Sequence, residues 1–187
     1  EEVGAASTEN IRTNTNATFL QNINVGVAIT AGKLGIGFTD AQIKIGNTAL
    51  DSLTTGTENT AVGNAALTAN TIGSTNTAVG ANSLDANTTG SENTAVGRGS
   101  LGKNTTGDAN VAVGRNALED NTTGSNNTAV GGDAMIDNTA DANTAVGRSA
   151  LRTNTTGTQN VAVGAYAADA VTTGSYLTAI GYAALGA

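Results

Sequence analysis

The chain has 187 residues, a formal net charge of −7, and no histidine, cysteine, proline or tryptophan. Eight basic against fifteen acidic side chains exclude a phosphate-tracking nucleic-acid surface. The missing residue types exclude a disulfide framework, thiol chemistry and the usual zinc ligand sets. Aromatics are 3% of residues, too few for an ordinary globular core, while 39% apolar and 12% charged residues argue against a disordered chain.

In chain order, residues 1–41 have no period. The chain opens at Glu1-Glu2 and is expected to be a processed or excerpted product. Glu1 to Thr18 is polar, as in an extended arm or tether. From Phe19 to Thr30, Ile23, Val25, Val27 and Ile29 alternate as one face of a strand, and Lys33 to Phe38 reads as a second strand. The expectation is an arm and then a hairpin or small β cap, serving as an attachment segment or as the lid of the repeat region.

From Gln42 onward the chain repeats itself. Asn-Thr-Ala-Val-Gly or a close variant ends at Gly63, Gly80, Gly97, Gly114, Gly131, Gly147, Gly164 and Gly181, every 17 residues except for one step of 16. A fixed short period is the signature of a stacked-repeat architecture. The coil consensus is N-T-A-V-G-x-x-A-L-x-x-N-T-T-G-S-x. Its defining columns are Val62, Val79, Val96 and Val113 at position 4, Gly63, Gly80, Gly97 and Gly114 at position 5, and Leu67, Leu84, Leu101 and Leu118 at position 9. The 16-residue coil carries Asn138-Thr139-Ala140-Asp141-Ala142, without the second glycine, so its turn is expected to be remodelled.

The predicted fold is all-β: a β-solenoid, or β-roll, over residues 42–187, with two short strands and two turns per coil. Helix is excluded by two glycines, two asparagines and several β-branched residues in each coil, together with the absence of a sustained 3.6-residue stripe. Asn-Thr-Thr-Gly supplies one turn, since Asn tolerates left-handed angles and Gly takes positive φ at no steric cost. By alternation, positions 2 and 4 share one face of a strand. That β-branched face is read as pointing inward, with the alanine of position 3 opposite it, held small by a second surface packing closely. Two large apolar residues per coil are little recompense for ordering seventeen backbones. A homotrimer closed around a central axis, meeting through the alanine face, is therefore expected.

The Asn-Thr-Ala-Val-Gly-x-x-Ala-Leu core, with Val62, Gly63 and Ala66 and their equivalents, resembles the head repeat of trimeric autotransporter adhesins (YadA-like). That resemblance covers about Gln42 to Ala187 and implies a parallel, trimeric β-roll displayed outside the cell, though the coil here is longer than the family's. The Asn-Thr-Thr-Gly repeats, with Gly32-Lys33-Leu34-Gly35-Ile36-Gly37 upstream, are also similar to segments of bacteriophage tail-fibre proteins. Together they imply a virion or cell-surface location, with other virion or surface-fibre components as partners.

Candidate sites are few. Arg98, Arg115 and Arg148 share position 6 and would line one edge of the rod, where an acidic surface glycan is the natural ligand and a solvated turn the plain alternative. Tyr166, Tyr176 and Tyr182 crowd the last coils, as a carbohydrate platform or a packed rod end. The acids of position 10, Asp51, Asp85 and Glu119, fall on alternate coils, which spaces like charges. Glu119 and Asp120 are the adjacent acidic pair in the rod, but neighbours on a strand point to opposite faces and make a poor hydrolytic dyad. With no histidine or cysteine to activate a nucleophile, no calcium loop and no phosphate loop, the expectation is no enzyme, no metal and no cofactor. The function expected is a structural or adhesive fibre, foremost a phage tail fibre supporting attachment to a host-surface glycan or protein. A bacterial adhesin head is the first alternative. A self-assembling filament or ice-binding rod is the second, disfavoured by the inward reading of the position 2 threonines.

Overall fold

The computed structural model describes residues 42–186; the arm and cap expected in residues 1–41 lie outside the described residues. Nine three-residue strands succeed one another: β1 (Ile43–Ile45), β2 (Thr60–Val62), β3 (Thr77–Val79), β4 (Thr94–Val96), β5 (Val111–Val113), β6 (Thr128–Val130), β7 (Thr144–Val146), β8 (Val161–Val163) and β9 (Thr178–Ile180). They form one parallel sheet in sequential order. Each strand pairs with its equivalent one repeat on, as Thr77 with Thr94 and Val79 with Val96. The 16-residue step keeps this register, with Thr128 opposite Thr144. The architecture is a parallel β-solenoid, and each coil is named for its strand.

Only positions 2–4 form a strand, where two strands per coil were expected. The second side of the coil makes equivalent inter-coil bonds, such as Leu101 N–H to Ala117 C=O at 3.0 Å and Lys103 N–H to Glu119 C=O at 2.9 Å. Its backbone is not extended, however. Positions 7, 9 and 17 are left-handed in every complete coil, and position 9 is leucine with φ of 47–53° in Leu50, Leu67, Leu84, Leu101, Leu118, Leu151 and Leu185. Such a conformation costs roughly 1–2 kcal/mol per non-glycine residue. Alternation of handedness bends this side into successive turns and aims the leucines inward, where they are wholly buried from Leu67 to Leu151.

The strand faces are reversed from the sequence expectation. Ala61, Ala78, Ala95, Ala112, Ala129, Ala145 and Ala162 are fully buried inside the coil and cluster with the position 8 alanines and position 9 leucines. The position 4 valines point outward, 36–38% exposed from Val79 to Val163. The alanine face is therefore the core of one chain and not a contact between chains. Position 3 is small because the coil is flat: the leucine and alanine of the far wall already fill its interior.

Two asparagine columns run through that interior, fully satisfied for most of their length. At position 1, Asn93 Oδ1 accepts from Asn110 N–H at 3.0 Å, and Asn93 Nδ2 donates to Gly107 C=O at 2.8 Å. At position 12, Asn104 Nδ2 donates to Asn87 Oδ1 at 2.8 Å and to Gly107 C=O at 3.0 Å. The second column breaks in two places. In the β6 coil, which lacks the second glycine, Asn138 Nδ2 turns to Ala140 C=O and leaves Asn121 Oδ1 without a donor. In the β8 coil Val171 replaces the asparagine, and Asn154 Oδ1 is left likewise.

Glycine at position 5 is demanded twice over. At Gly97, φ is 137°, and a Cβ would lie 2.5 Å from the carbonyl oxygen of Gly114 in the next coil. Gly132, at position 6, would meet nothing within 4 Å. Gly97→Ala is therefore expected to lower the chemical denaturation midpoint sharply, whereas Gly132→Ala leaves it unchanged or raises stability by up to about 1 kcal/mol. Asn93→Ala strands the buried Asn110 N–H, and a loss of about 1–3 kcal/mol is expected in the same measurement.

Candidate functional site

Two surface features stand out, and both arise from the coil geometry. The first is the outward row of positions 2 and 4. Position 4 is valine or isoleucine from Ile45 to Ile180, and position 2 is threonine, valine or isoleucine throughout. No charge interrupts either column. Because the strands are in register, these side chains stack into one continuous stripe. At the usual strand separation of about 4.8 Å, nine rungs span about 40 Å. A contiguous exposed band of β-branched side chains of this kind is a candidate contact surface.

The second feature is a recess of about 250 Å³ across the β3, β4 and β5 coils. The β4 coil is the one coil with glycine at both position 7 and position 10, Gly99 and Gly102. Two side chains are therefore missing where its neighbours carry Asn82 and Asp85 on one side and Asn116 and Glu119 on the other. Those neighbours lean over the gap. A Cβ at Gly99 would lie 2.9 Å from Asn116 Oδ1, and one at Gly102 would lie 3.4 Å from Asp85 Oδ1. Arg98 and Lys103 complete the lining.

Burial pushes the Asp85 carboxyl above its ordinary range, with hydrogen bonds from the Asp85 and Ala86 amides working in the opposite direction. Lys103 donates to Asp120 at 2.7 Å, and that bond raises its ammonium above the usual lysine range.

The three position 6 arginines differ in their surroundings. Arg115 pairs with Asp133, its Nη2 2.9 Å and 3.1 Å from the two carboxylate oxygens. Arg148 lies with Cζ 5.5 Å from the centroid of the Tyr166 ring, a cation–π contact. Arg98 lines the recess and forms no salt bridge among the described residues. Gly132 interrupts the column between Arg115 and Arg148, so the edge is not a continuous cationic rail. Of the tyrosines, Tyr166 and Tyr182 meet edge to face with centroids 5.9 Å apart. Tyr176 stands 79% exposed and forms no aromatic pair among the described residues.

Sequence reasoning named Arg98 but missed its partners Gly99, Gly102 and Asn116; it treated Asp85 as a spaced charge, and Glu119 as a spaced charge and as half of a rejected acidic pair with Asp120. The signal was the coincidence of two glycines in one coil. Among the described residues, no cluster of three acidic, histidine or cysteine side chains is placed to hold a metal ion. No helix there is long and apolar enough to cross a membrane. The fold defines the chain as an all-β parallel solenoid of tandem repeats. Comparison with known proteins adds no relative: no family model, no curated protein and no solved structure matches the chain.

The Asp85 shift has a definite sign. A carboxyl whose pKa is raised by folding binds its proton more tightly in the folded chain, so its destabilising effect is present when ionised and is relieved as pH falls through the raised pKa. The melting temperature of the parent chain relative to Asp85→Asn is therefore expected to rise between pH 7 and the acid side of the carboxylate range, about pH 4. Paired thermal melts across that window check it.

Proposed function

We propose that the chain is a non-enzymatic structural segment of an extracellular homotrimeric fibre, foremost a virion tail fibre that supports attachment to a host surface. The observation that carries this reading is the uninterrupted threonine–valine stripe. A β-branched band one strand wide, running the length of the repeat region in a chain whose net charge is −7, is suited to a second and third copy of the same rod. Copies in parallel register would set valine against valine in each layer. Three narrow stripes converging on an axis hide more of their flanks than two do, which favours the trimer and protects the stripe from non-specific association. The repeated coil then serves mechanically, holding an attachment surface at a fixed distance. Resemblance of Asn-Thr-Ala-Val-Gly-x-x-Ala-Leu to adhesin heads, and of the Asn-Thr-Thr-Gly turns to phage fibres, supports the same role; an adhesin head on a bacterial surface would use the stripe identically.

One observation favours a second reading. The position 2 threonines face outward, partly or fully exposed from Thr60 to Thr178, which removes the objection to an ordered-water surface. A flat Thr-Val array with a fixed rung spacing is a suitable template for ice.

Mass measurement in solution separates the two. The expected result is three times the 18.3 kDa of one chain, with Val113→Lys and Val130→Lys together returning the monomer while the circular dichroism of the rod persists. A parent chain that runs as a monomer at micromolar concentration overturns the fibre reading, and thermal hysteresis in that monomer moves the assignment to ice.

A further inference from the structure

We propose that the recess over Gly99 and Gly102 is a binding site for one neutral pyranose unit of a surface glycan. The proposal rests on the attachment role above and gives it a place and a ligand class. Three observations lead to it. The recess is made by absence: both side chains that would fill it are missing from a single coil, and in no other coil are both missing. Its volume of about 250 Å³ lies below the roughly 300–1,000 Å³ typical of drug-sized ligands, so it admits one ring of a longer chain and leaves the rest in solvent.

The third observation is its charge. The lining holds two carboxylates, Asp85 and Glu119, and two cations, Arg98 and Lys103; Lys103 is already engaged by Asp120 at 2.7 Å, so Arg98 faces the two carboxylates and the recess presents both signs of charge. A net anionic ligand would meet the carboxylates, and a net cationic one the guanidinium. A sugar hydroxyl both donates and accepts, and so can give its proton to Asp85, Glu119 or Asn116 Oδ1 while receiving one from Arg98. Asp85 is held half-buried by its backbone bonds, and Asn116 is anchored by its own amide N–H bond to Arg98 C=O at 3.0 Å. The acceptors are therefore placed before a ligand arrives, which lowers the ordering cost of binding. This departs from the acidic glycan expected for a row of free arginines, because Arg98 shares its surroundings with two carboxylates.

The experiment is a titration of the isotope-labelled full chain with the methyl glycosides of glucose, galactose, mannose and N-acetylglucosamine, monitored by amide resonances. At least one sugar is expected to shift Gly99, Gly102 and Asn116 at millimolar concentration. Arg98→Ala, at an exposed residue, and Glu119→Gln, at a half-buried one of nearly equal size, are expected to weaken that binding at least tenfold with an unchanged melting profile, whereas Arg152→Ala leaves it intact. Absence of shifts with every glycoside, shifts confined to the Tyr166–Tyr182 end, or equal affinity in all three variants would overturn the assignment. Mass measured on the same samples keeps the two ideas apart. A trimer that binds no sugar loses the recess and retains the fibre, and a monomer that shifts at Gly99 retains the recess and loses the fibre.

Discussion

Register between coils is the constraint on which everything else rests. A coil taken alone is a poor structure: three residues in the left-handed region, one of them leucine in most coils, and a turn glycine whose neighbour, in every coil but the last, sits too close for any Cβ. None of these would persist in an isolated segment. They persist because every side of the coil hands its backbone groups to the coil above and the coil below. Asn116 N–H bonds to Arg98 C=O, while Leu118 N–H bonds to Ala134 C=O in the opposite direction. The asparagine columns extend the same device into the interior, where side-chain amides replace the backbone partners that a flat turn cannot offer. Stability therefore belongs to the stack rather than to the coil, as expected of a quasi-one-dimensional fold.

Defects in the columns show how strict that register is. The β6 coil is one residue short, yet its strand pairing is unchanged. The missing residue is absorbed wholly in the turn, at the cost of one orphaned amide oxygen on Asn121. Val171 produces the second orphan by chemistry instead of length, since it cannot donate. A buried acceptor left unpaired costs roughly 1–3 kcal/mol, and the solenoid carries two such sites while leaving the ladder of strands intact. Strand pairing is the stronger of the two demands.

Period, the strand at positions 2–4 and the altered turn were legible in the sequence, because repetition displays them directly, whereas the second strand expected in each coil is a run of turns. The direction of the strand faces was not. Alternation states which side chains share a face and is silent on which face is inside, and the larger residues were assigned inward on the ordinary rule that apolar bulk is buried. Two details pointed the other way. Thr and Val exchange freely at position 2, a tolerance for a hydroxyl that fits an exposed site. Position 3 is alanine in every strand except β1, where Lys44 stands exposed at the start of the described rod and pairs with Asp51. Non-glycine residues in the left-handed region were equally hidden, since nothing in a leucine column announces positive φ; only the stacked hydrogen bonds impose it.

The two candidate surfaces differ in how the repeat treats them. Positions 2 and 4 hold one kind of side chain from end to end, which a contact extending along the whole rod requires: one charged rung would face its own copy across an axis and repel it. Positions 6, 7, 10 and 11 hold arginine, glycine, asparagine, aspartate, glutamate and tyrosine in different coils, because those side chains leave the coil without entering the ladders. A recognition site needs that freedom, being local and particular. The recess over Gly99 and Gly102 arises where it does because deleting two outward side chains changes neither the asparagine columns nor the strand register. Such a scaffold can acquire a pocket in one coil without unsettling the coils on either side.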